Sequence, residues 1–286
     1  MSPDLDRAQD SPRISVAIVA KDEQRNLARC LRSVAWADDV VVVVDASSTD
    51  RTAEIAGREG ARVILEAWRG YVGSKNFAVA STRHEWVLSI DADEWLTAAG
   101  ADEIATVVRN PRHDVYAVRR RPAFCGAFVD RVWSPDVHVR LFRKGAARFE
   151  GGRVHESLRP RDGATVGRLR EPMPHLTYRS VGEYVERLNR YTDLAAADLH
   201  AAGRRSSAIH AVVSPLAAFV RAYVLKRGFL DGRRGWIVAC GSAFYAAVKQ
   251  AKLWERERDR SDELIRVAGV TPEDPDPAGD GGGQSG

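Results

Sequence analysis

"VLSIDADEW", residues Val87 to Trp95, is an apolar run that ends in three carboxylates within four positions. Val87, Leu88 and Ile90 read as a buried strand, and Asp91, Asp93 and Glu94 crowd its carboxyl end. A solvated acidic turn has this composition. So does a metal site, because Mg²⁺ and Mn²⁺ prefer oxygen ligands and draw much of their shell from a phosphate substrate. The surroundings of the stretch decide between the two.

Three more β-branched, apolar runs precede it: "ISVAIVA" (Ile14 to Ala20), "DVVVVVD" (Asp39 to Asp45) and "ARVILE" (Ala61 to Glu66). Between them lie helical patterns. Leu27, Leu31 and Val34 share one face, "SSTDRTAEIAGREG" offers hydroxyl caps and the stop Gly60, and "KNFAVAST" opens another helix. Apolar strands alternating with helices predict an α/β fold with parallel strands covered on both faces. Ligands of such sheets bind beyond the carboxyl ends of the strands. Asp45 and Asp91 end two of these strands, so both are expected along one edge.

After about residue 114 the pattern changes. "VYAVRRR" and "HVRLFRK" alternate as half-exposed antiparallel strands, and "GAARFEGGRVHESL" continues in short pieces with glycine turns. A helical section starts near Ser180, where Ser180 and Glu183 form a capping-box pattern. In "AIHAVVSPLAAFVRAYVLKRG", Ile209, Val212, Val213, Leu216, Val220, Tyr223 and Val224 make one stripe, and Pro215 either opens a helix or kinks one. The 14 residues of "GWIVACGSAFYAAV" are too few to span a membrane, so this run suits a packed or interfacial helix.

Composition sets the outer bounds. The chain has 286 residues, 44% hydrophobic and 29% charged, enough for a sizeable core. Cys30, Cys125 and Cys240 are far apart and form no CxxC pattern, which suggests neither a disulfide framework nor a zinc cluster and favours a reducing compartment. No signal peptide is legible at the N-terminus. The expected organisation is a disordered segment 1–13, a catalytic domain 14–177, a helical, basic and amphipathic extension 178–260, and a disordered Pro/Gly/Asp-rich tail 270–286. Net charge is +4, yet residues 201–260 alone hold twelve Lys or Arg against four Asp or Glu. Basic charge is thus concentrated late in the chain, where a membrane surface, nucleic acid or water could face it.

The remaining chemistry-bearing residues sit at predicted strand ends or loops. In "VVDASSTD", Asp45 can accept from a base or ribose, and the helix start behind it favours negative charge. In "GYVGSKNFAV", Lys75 lies between glycines and a predicted helix, where a cation offsets charge on a leaving diphosphate. In "GGRVHESL", Glu156 can serve as a general base, with His155 to orient it or bind phosphate.

The ordered series Lys21-Asp22-Glu23, Asp45-Ala46-Ser47-Ser48-Thr49-Asp50, Lys75-Asn76, Asp91-Ala92-Asp93-Glu94 and Val154-His155-Glu156 resembles an inverting family 2 glycosyltransferase of GT-A fold. "LFRKG", "EGGRVHE", "RLNRYTDLAA", "KRGFLDG" and "AKLWE" are similar to the bacterial branch containing the lipopolysaccharide core β-glucosyltransferases. The likeness runs from about Ile14 to Glu255. It implies a Rossmann-like, mostly parallel mixed sheet with helices on both faces plus a C-terminal helical extension.

The resemblance also implies roles. Glu23 and Asp45 would contact the uridine of a UDP-sugar, and Lys75 would lie near the nucleotide or its phosphates. Asp91 would serve both nucleotide sugar and metal, Asp93 would hold the Mg²⁺ or Mn²⁺, and His175 in "PMPHLTYRS" would be a further metal or diphosphate ligand. Glu156 would be the catalytic base. Apart from the resemblance, Glu94 is read either as lining the acceptor side together with His155 or as a solvated neighbour of the two aspartates. The implied reaction moves a hexose, glucose from UDP-glucose in the nearest branch, to a hydroxyl of lipopolysaccharide core or another cell-envelope glycan. Other sugar nucleotides and lipid-linked or peptide acceptors occur in related enzymes. The usual Asp-Ser-Gly-Ser-Thr-Asp is Asp45-Ala46-Ser47-Ser48-Thr49-Asp50 here, which leaves a side chain at Ser47 near the nucleoside.

A membrane-anchored acceptor would give the basic segment 204–260 a purpose, since anionic lipid attracts each nearby Lys or Arg by about 1 kcal/mol. Arg204, Arg205, Lys226, Arg227, Arg233 and Arg234 are the candidates, and the equal alternative is that both apolar segments pack on the catalytic domain or form a dimer; the expected location is cytoplasmic, and peripheral on the inner face of the membrane under the first reading. A non-catalytic nucleic-acid or membrane binder is the rival of a different class. Nucleic acid is not the expected partner, because the strand-end acids would repel its phosphates.

Overall fold

The computed structural model describes residues 12–151 and 156–257. Its first half alternates β1 (Ile14–Ala20), α1 (Leu27–Ser33), β2 (Asp39–Asp45), α2 (Thr52–Arg58), β3 (Arg62–Glu66), α3 (Gly70–Ala80), β4 (Trp86–Ser89) and α4 (Ala98–Arg109). Strands β5 (Val115–Phe124), β6 (Ala127–Phe128), β7 (Val137–Arg143), β8 (Ala147–Gly151), β9 (Glu156–Pro160), β10 (Val166–Arg168) and β11 (Met173–Tyr178) follow. The described chain closes with α5 (Val181–Ala201), α6 (Ala208–Val220), a π-helical turn Arg221–Leu225, a 3₁₀ turn Gly228–Asp231 and α7 (Gly232–Glu257).

The large sheet runs β10-β5-β7-β4-β1-β2-β3, with β11 and β6 also on β5, and β8 and β9 form a separate hairpin. Strands β4, β1, β2 and β3 are mutually parallel, whereas β7 enters antiparallel between β4 and β5. The result is a mixed, mostly parallel α/β sheet with C-terminal helices.

Side-chain alternation divides the core between two faces. Val16 and Ile18 of β1 and Val42 and Val44 of β2 pack with Leu27, Leu31, Ile55 and Ile104 from the helices. Ala17, Val41 and Val43 point the other way, toward Ala78 of α3 and Phe142 of β7. Burial on both faces explains why these strands are continuously apolar rather than alternating. Each large aliphatic side chain so buried contributes roughly 1.5–3 kcal/mol. Pairing of Ala20 with Val44 and of Ala17 with Ser89 brings Asp45 and Asp91 to the same edge of the sheet.

Helix α3 starts earlier than its sequence pattern suggests. Gly70, with φ +74°, turns the chain into it, and Ser74 Oγ accepts from the Arg69 N–H at 3.2 Å. Lys75 therefore sits inside the helix, not ahead of it. At α5 the Glu183 N–H donates to Ser180 Oγ at 3.1 Å, and the Glu183 carboxylate accepts from the Arg179 N–H at 2.7 Å. Pro215 lies within α6 instead of opening a helix.

The chain divides into two compact units that interleave in sequence. One holds the chain up to Tyr184 together with Arg221–Ala239, and the other holds Val185–Val220 together with the chain from Cys240. In the first unit, Asp231 accepts at 2.9 to 3.0 Å from the backbone N–H groups of Asp130, Arg131 and Val132. In the second, Lys252 pairs with Asp193 at 2.8 Å and donates to the Asn189 carbonyl. The segments 1–11 and 258–286, which include most of both expected disordered ends, lie outside the described residues.

Candidate active site

The acidic turn that follows β4 is held by backbone contacts on two sides. Glu94 N–H donates to the Asp91 carbonyl at 3.0 Å, closing the turn. Trp95 N–H donates to the Pro174 carbonyl at 3.1 Å, and Leu176 N–H to the Asp93 carbonyl at 3.0 Å. These contacts with β11 place His175 beside Asp93, with Nε2 3.3 Å from Oδ2. Burial favours the neutral imidazole, but the Asp93 carboxylate outweighs it and raises the His175 pKa.

Asp91 has a different set of partners. Its Oδ1 lies 2.9 Å from Lys75 Nζ, and its Oδ2 lies 2.6 Å from an Arg140 Nη. Desolvation works against its charge, yet Arg140 and Lys75 hold the carboxyl well below the usual carboxylate range. Lys75 Nζ is also 3.2 Å from Glu156 Oε1. One ammonium thus links the strand-end acid of β4 to the first residue of β9. The next residue of α3, Asn76, fixes this arrangement by exchanging hydrogen bonds with the Phe149 backbone of β8 at 3.0 and 3.1 Å.

Farther along the same edge, Asp45 is buried at the end of β2. Its Oδ1 accepts from both the Ser47 N–H and the Ser47 hydroxyl at 2.9 Å. The Ser47 N–H is the main reason that the Asp45 carboxyl titrates below its ordinary value. Lys21 Nζ stands 3.4 Å from Oδ2, but no hydrogen bond reaches that oxygen. The hydroxyl of Ser47, the residue standing where the resembled motif has glycine, is thus drawn onto Asp45 and Lys21. Glu23 is fixed by its N–H to Thr52 Oγ1 at 2.8 Å and by Asn26 Nδ2 on its carboxylate at 2.7 Å.

Residues 15–156 match the family described as Glycosyl transferase family 2. An uncharacterized glycosyltransferase of Rickettsia typhi is 32% identical over 85% of this chain and 87% of its own length. The chain belongs to glycosyltransferase family 2.

A lipopolysaccharide core biosynthesis glycosyltransferase, LpsC of Rhizobium meliloti, is 29% identical over 85% of this chain and 92% of its own. Among solved structures, S. aureus TarS in complex with UDP-GlcNAc aligns at a TM-score of 0.45 and 15% identity, over 90% of this chain and 92% of that one. The protein is an enzyme of the glycosyl-transferring class.

Two groups in this glycosyltransferase differ from their sequence-based expectations. Glu94 neither lines an open acceptor face nor sits in solvent. Its side chain is fully buried, with Oε1 2.5 Å from Arg140 and 3.2 Å from Arg120 and Oε2 accepting from the Asp91 N–H at 2.9 Å. An apolar run carries the acid inward, and the two guanidiniums together with the Asp91 N–H offset the cost of its burial. Asp91, expected at the metal as well as at the sugar nucleotide, has both oxygens on cations. His155 lies outside the described residues.

Arg140 and Arg120 had no motif to announce them. Arg140 is almost wholly buried, and although desolvation opposes its charge, Asp91 and Glu94 raise its pKa above the ordinary guanidinium value. Arg120 also forms a two-point pair with Asp136, at 3.0 and 3.1 Å, and Asp136 is 2.5 Å from His138 Nε2. In sequence, arginines on β5 and β7 look like the polar face of half-exposed strands. What brings them to the site is sheet order: β7, which carries Arg140, pairs directly with β4, whose end carries the acids, and β5, which carries Arg120, lies on the far side of β7.

The donor atoms suit a divalent cation of the Mg²⁺ or Mn²⁺ type. Asp93 offers oxygen and His175 nitrogen within 3.3 Å of each other, and the rest of such a shell comes from substrate phosphates and water. Among the described residues no cluster of three or more His, Cys, Asp or Glu is arranged around one metal position.

Proposed function

We propose that this glycosyltransferase transfers a hexose, glucose from UDP-glucose, with inversion of the anomeric centre, to a hydroxyl of lipopolysaccharide core or a related cell-envelope glycan. The observation that carries the reading is the row of groups along one sheet edge. Asp45 has a buried carboxylate oxygen that accepts no hydrogen bond among the described residues and stands 3.4 Å from Lys21, Asp93 pairs with His175 at another place, and Lys75 joins Asp91 to Glu156. That series matches what a uridine, a diphosphate and an acceptor hydroxyl each need. The likeness to a lipopolysaccharide core glycosyltransferase supports the acceptor class.

In this reading Asp45 Oδ2, which carries no hydrogen bond among the described residues, accepts from the uracil N–H, with Lys21 beside it and Ser47 on the other oxygen holding the carboxylate in place. Asp93 and His175 hold the divalent cation, which supplies charge stabilisation to the diphosphate when bound. Lys75 places a positive charge beside Asp91 and orients Glu156. The Glu156 carboxylate takes the proton of the acceptor hydroxyl, and the oxygen attacks the anomeric carbon opposite the leaving diphosphate. An α-linked donor then yields a β-linked product. The free cysteines Cys30, Cys125 and Cys240 are compatible with a cytoplasmic enzyme, where nucleotide sugars are at hand.

The test is a donor screen that reads UDP release with Mg²⁺ or Mn²⁺ and lipopolysaccharide-core acceptors, followed by NMR of the product anomer. UDP-glucose giving a β-linked product is the expected result. Turnover confined to another sugar nucleotide would replace the donor, and an α-linked product would overturn the inverting mechanism.

A further inference from the structure

From the structure we infer that the α6 region docks on an anionic lipid bilayer, lying in its interface with the apolar stripe down. In α6, Ile209 is 73% exposed and Val212 and Leu216 are 63% exposed each, with Val213 and Val220 exposed on the same face. Spacings of three, one, three and four residues keep these five side chains on one side of a helix. The helical run Ala208–Leu225 has a mean hydropathy of 1.6 over 18 residues, and only 6% of it is buried. An apolar ridge of this length is not left in water by an ordinary soluble surface.

Charge points to the occupant. Between Asp198 and Asp231 the chain carries no Asp or Glu, but it carries Arg204, Arg205, Arg221, Lys226 and Arg227. All five are exposed, and none forms an ion pair among the described residues. In the chain, Arg204 and Arg205 precede the ridge and Arg221, Lys226 and Arg227 follow it directly, and long cationic side chains of this kind reach lipid phosphates when an apolar helix face enters the acyl boundary. Asp231, the carboxylate that ends the acid-free stretch, is turned onto the backbone of Asp130 to Val132. A protein partner recognised through the same ridge would not need an uninterrupted run of one charge sign.

Two features favour lying in the interface over spanning. Eighteen residues reach about 27 Å as a helix, short of a hydrocarbon core of about 30 Å. Pro215 and the π-helical turn from Arg221 also interrupt the regular hydrogen bonding that a lipid-surrounded span requires. Arg234, a candidate cation in the sequence, is not part of the surface. Its guanidinium donates to the carbonyls of Phe124 and Cys125, both at 3.0 Å.

The experiment is flotation of the full-length protein with phosphatidylcholine vesicles, with and without phosphatidylglycerol, at low and high salt. Binding should be roughly tenfold stronger with phosphatidylglycerol and should fall as salt rises. Lys226→Gln with Arg227→Gln, both exposed, should lose about tenfold of that binding with unchanged thermal melting. Val212→Ser with Leu216→Ser should abolish it, and an alkaline carbonate wash should release the bound wild-type protein. Wild-type protein that floats with neither vesicle, or that forms a dimer dispersed by the Val212 and Leu216 substitutions without floating, overturns the proposal. Retention through the carbonate wash overturns the interfacial placement.

Discussion

Arg140 and Glu94 meet at an N···O distance of 2.5 Å with 5% and 0% of their side chains exposed, so the floor of the site is a buried ion pair. Removing one member of such a pair strands the other without water. Arg140→Met should cost roughly 3–5 kcal/mol of stability, read by urea denaturation. The double substitution Arg140→Met with Glu94→Gln should recover part of that loss. A single-variant loss below about 1 kcal/mol would mean that Arg120 alone neutralises Glu94.

Asp93→Asn and His175→Ala should each lower turnover by on the order of 10²-fold or more. Both should also weaken the Mn²⁺-dependent part of UDP binding in calorimetry while leaving metal-free UDP binding unchanged. Equal loss with and without metal would remove these two residues from the cation site.

Glu156→Gln should reduce kcat by about 10²–10⁴-fold and leave the affinity for the donor close to wild type, because the amide keeps the shape but cannot take the proton. Its kcat against pH should also lose the limb that reports ionisation of the base. A normal kcat would assign the proton transfer elsewhere.

Asp45→Ala should weaken binding of uridine, UDP and UDP-sugar by a similar factor, about tenfold for one lost hydrogen bond to a charged group. Ser47→Gly, which restores the motif glycine, should leave the fold intact and shift Lys21 off its 2.8 Å contact with the Ser47 hydroxyl. Unaltered uridine affinity in Asp45→Ala would move the nucleoside away from the β2 edge.

Asp39 offers a pH test away from the site. Burial pulls its pKa up, but the Arg83 N–H at 3.0 Å, the Ser15 hydroxyl at 3.0 Å and Arg62 at 3.1 Å outweigh this and lower it. A depressed folded-state value means that the ionised carboxylate stabilises the fold above about pH 4 and loses that effect as pH falls through the folded value. Wild type should therefore exceed Asp39→Asn in stability at neutral pH. The gap should shrink on acidification below about pH 4, as followed by urea denaturation across the series. A gap independent of pH would assign the difference to packing.

Much of the first half was legible because its signals are local. The limits of β1 and β2 coincide with the runs Ile14–Ala20 and Asp39–Asp45, since strands buried on both faces are apolar almost throughout, and the one polar side chain inside β1, Ser15, is hydrogen-bonded to Asp39. Lys75 was misplaced relative to its helix because glycines at Gly70 and Gly73 read as loop. In the structure Gly70 uses a positive φ to enter α3, and a Cβ at Gly73 would lie 2.9 Å from that of Arg69.

What the sequence determined by itself is the series of parallel strands, the edge that holds Asp45 and Asp91, and the identity of the acids along it. Each follows from short-range periodicity and from the direction of parallel strands. The pairing of charges belongs to tertiary structure alone. Lys75 reaches Glu156 across 81 residues, His175 reaches Asp93 across 82, and Arg140 reaches Asp91 across 49. No local pattern encodes those distances. The antiparallel entry of β7 beside β4 and the docking of β11 on β5 decide which acid meets a guanidinium and which meets an imidazole. That division sets Asp93 beside His175 and commits Glu94 to the interior.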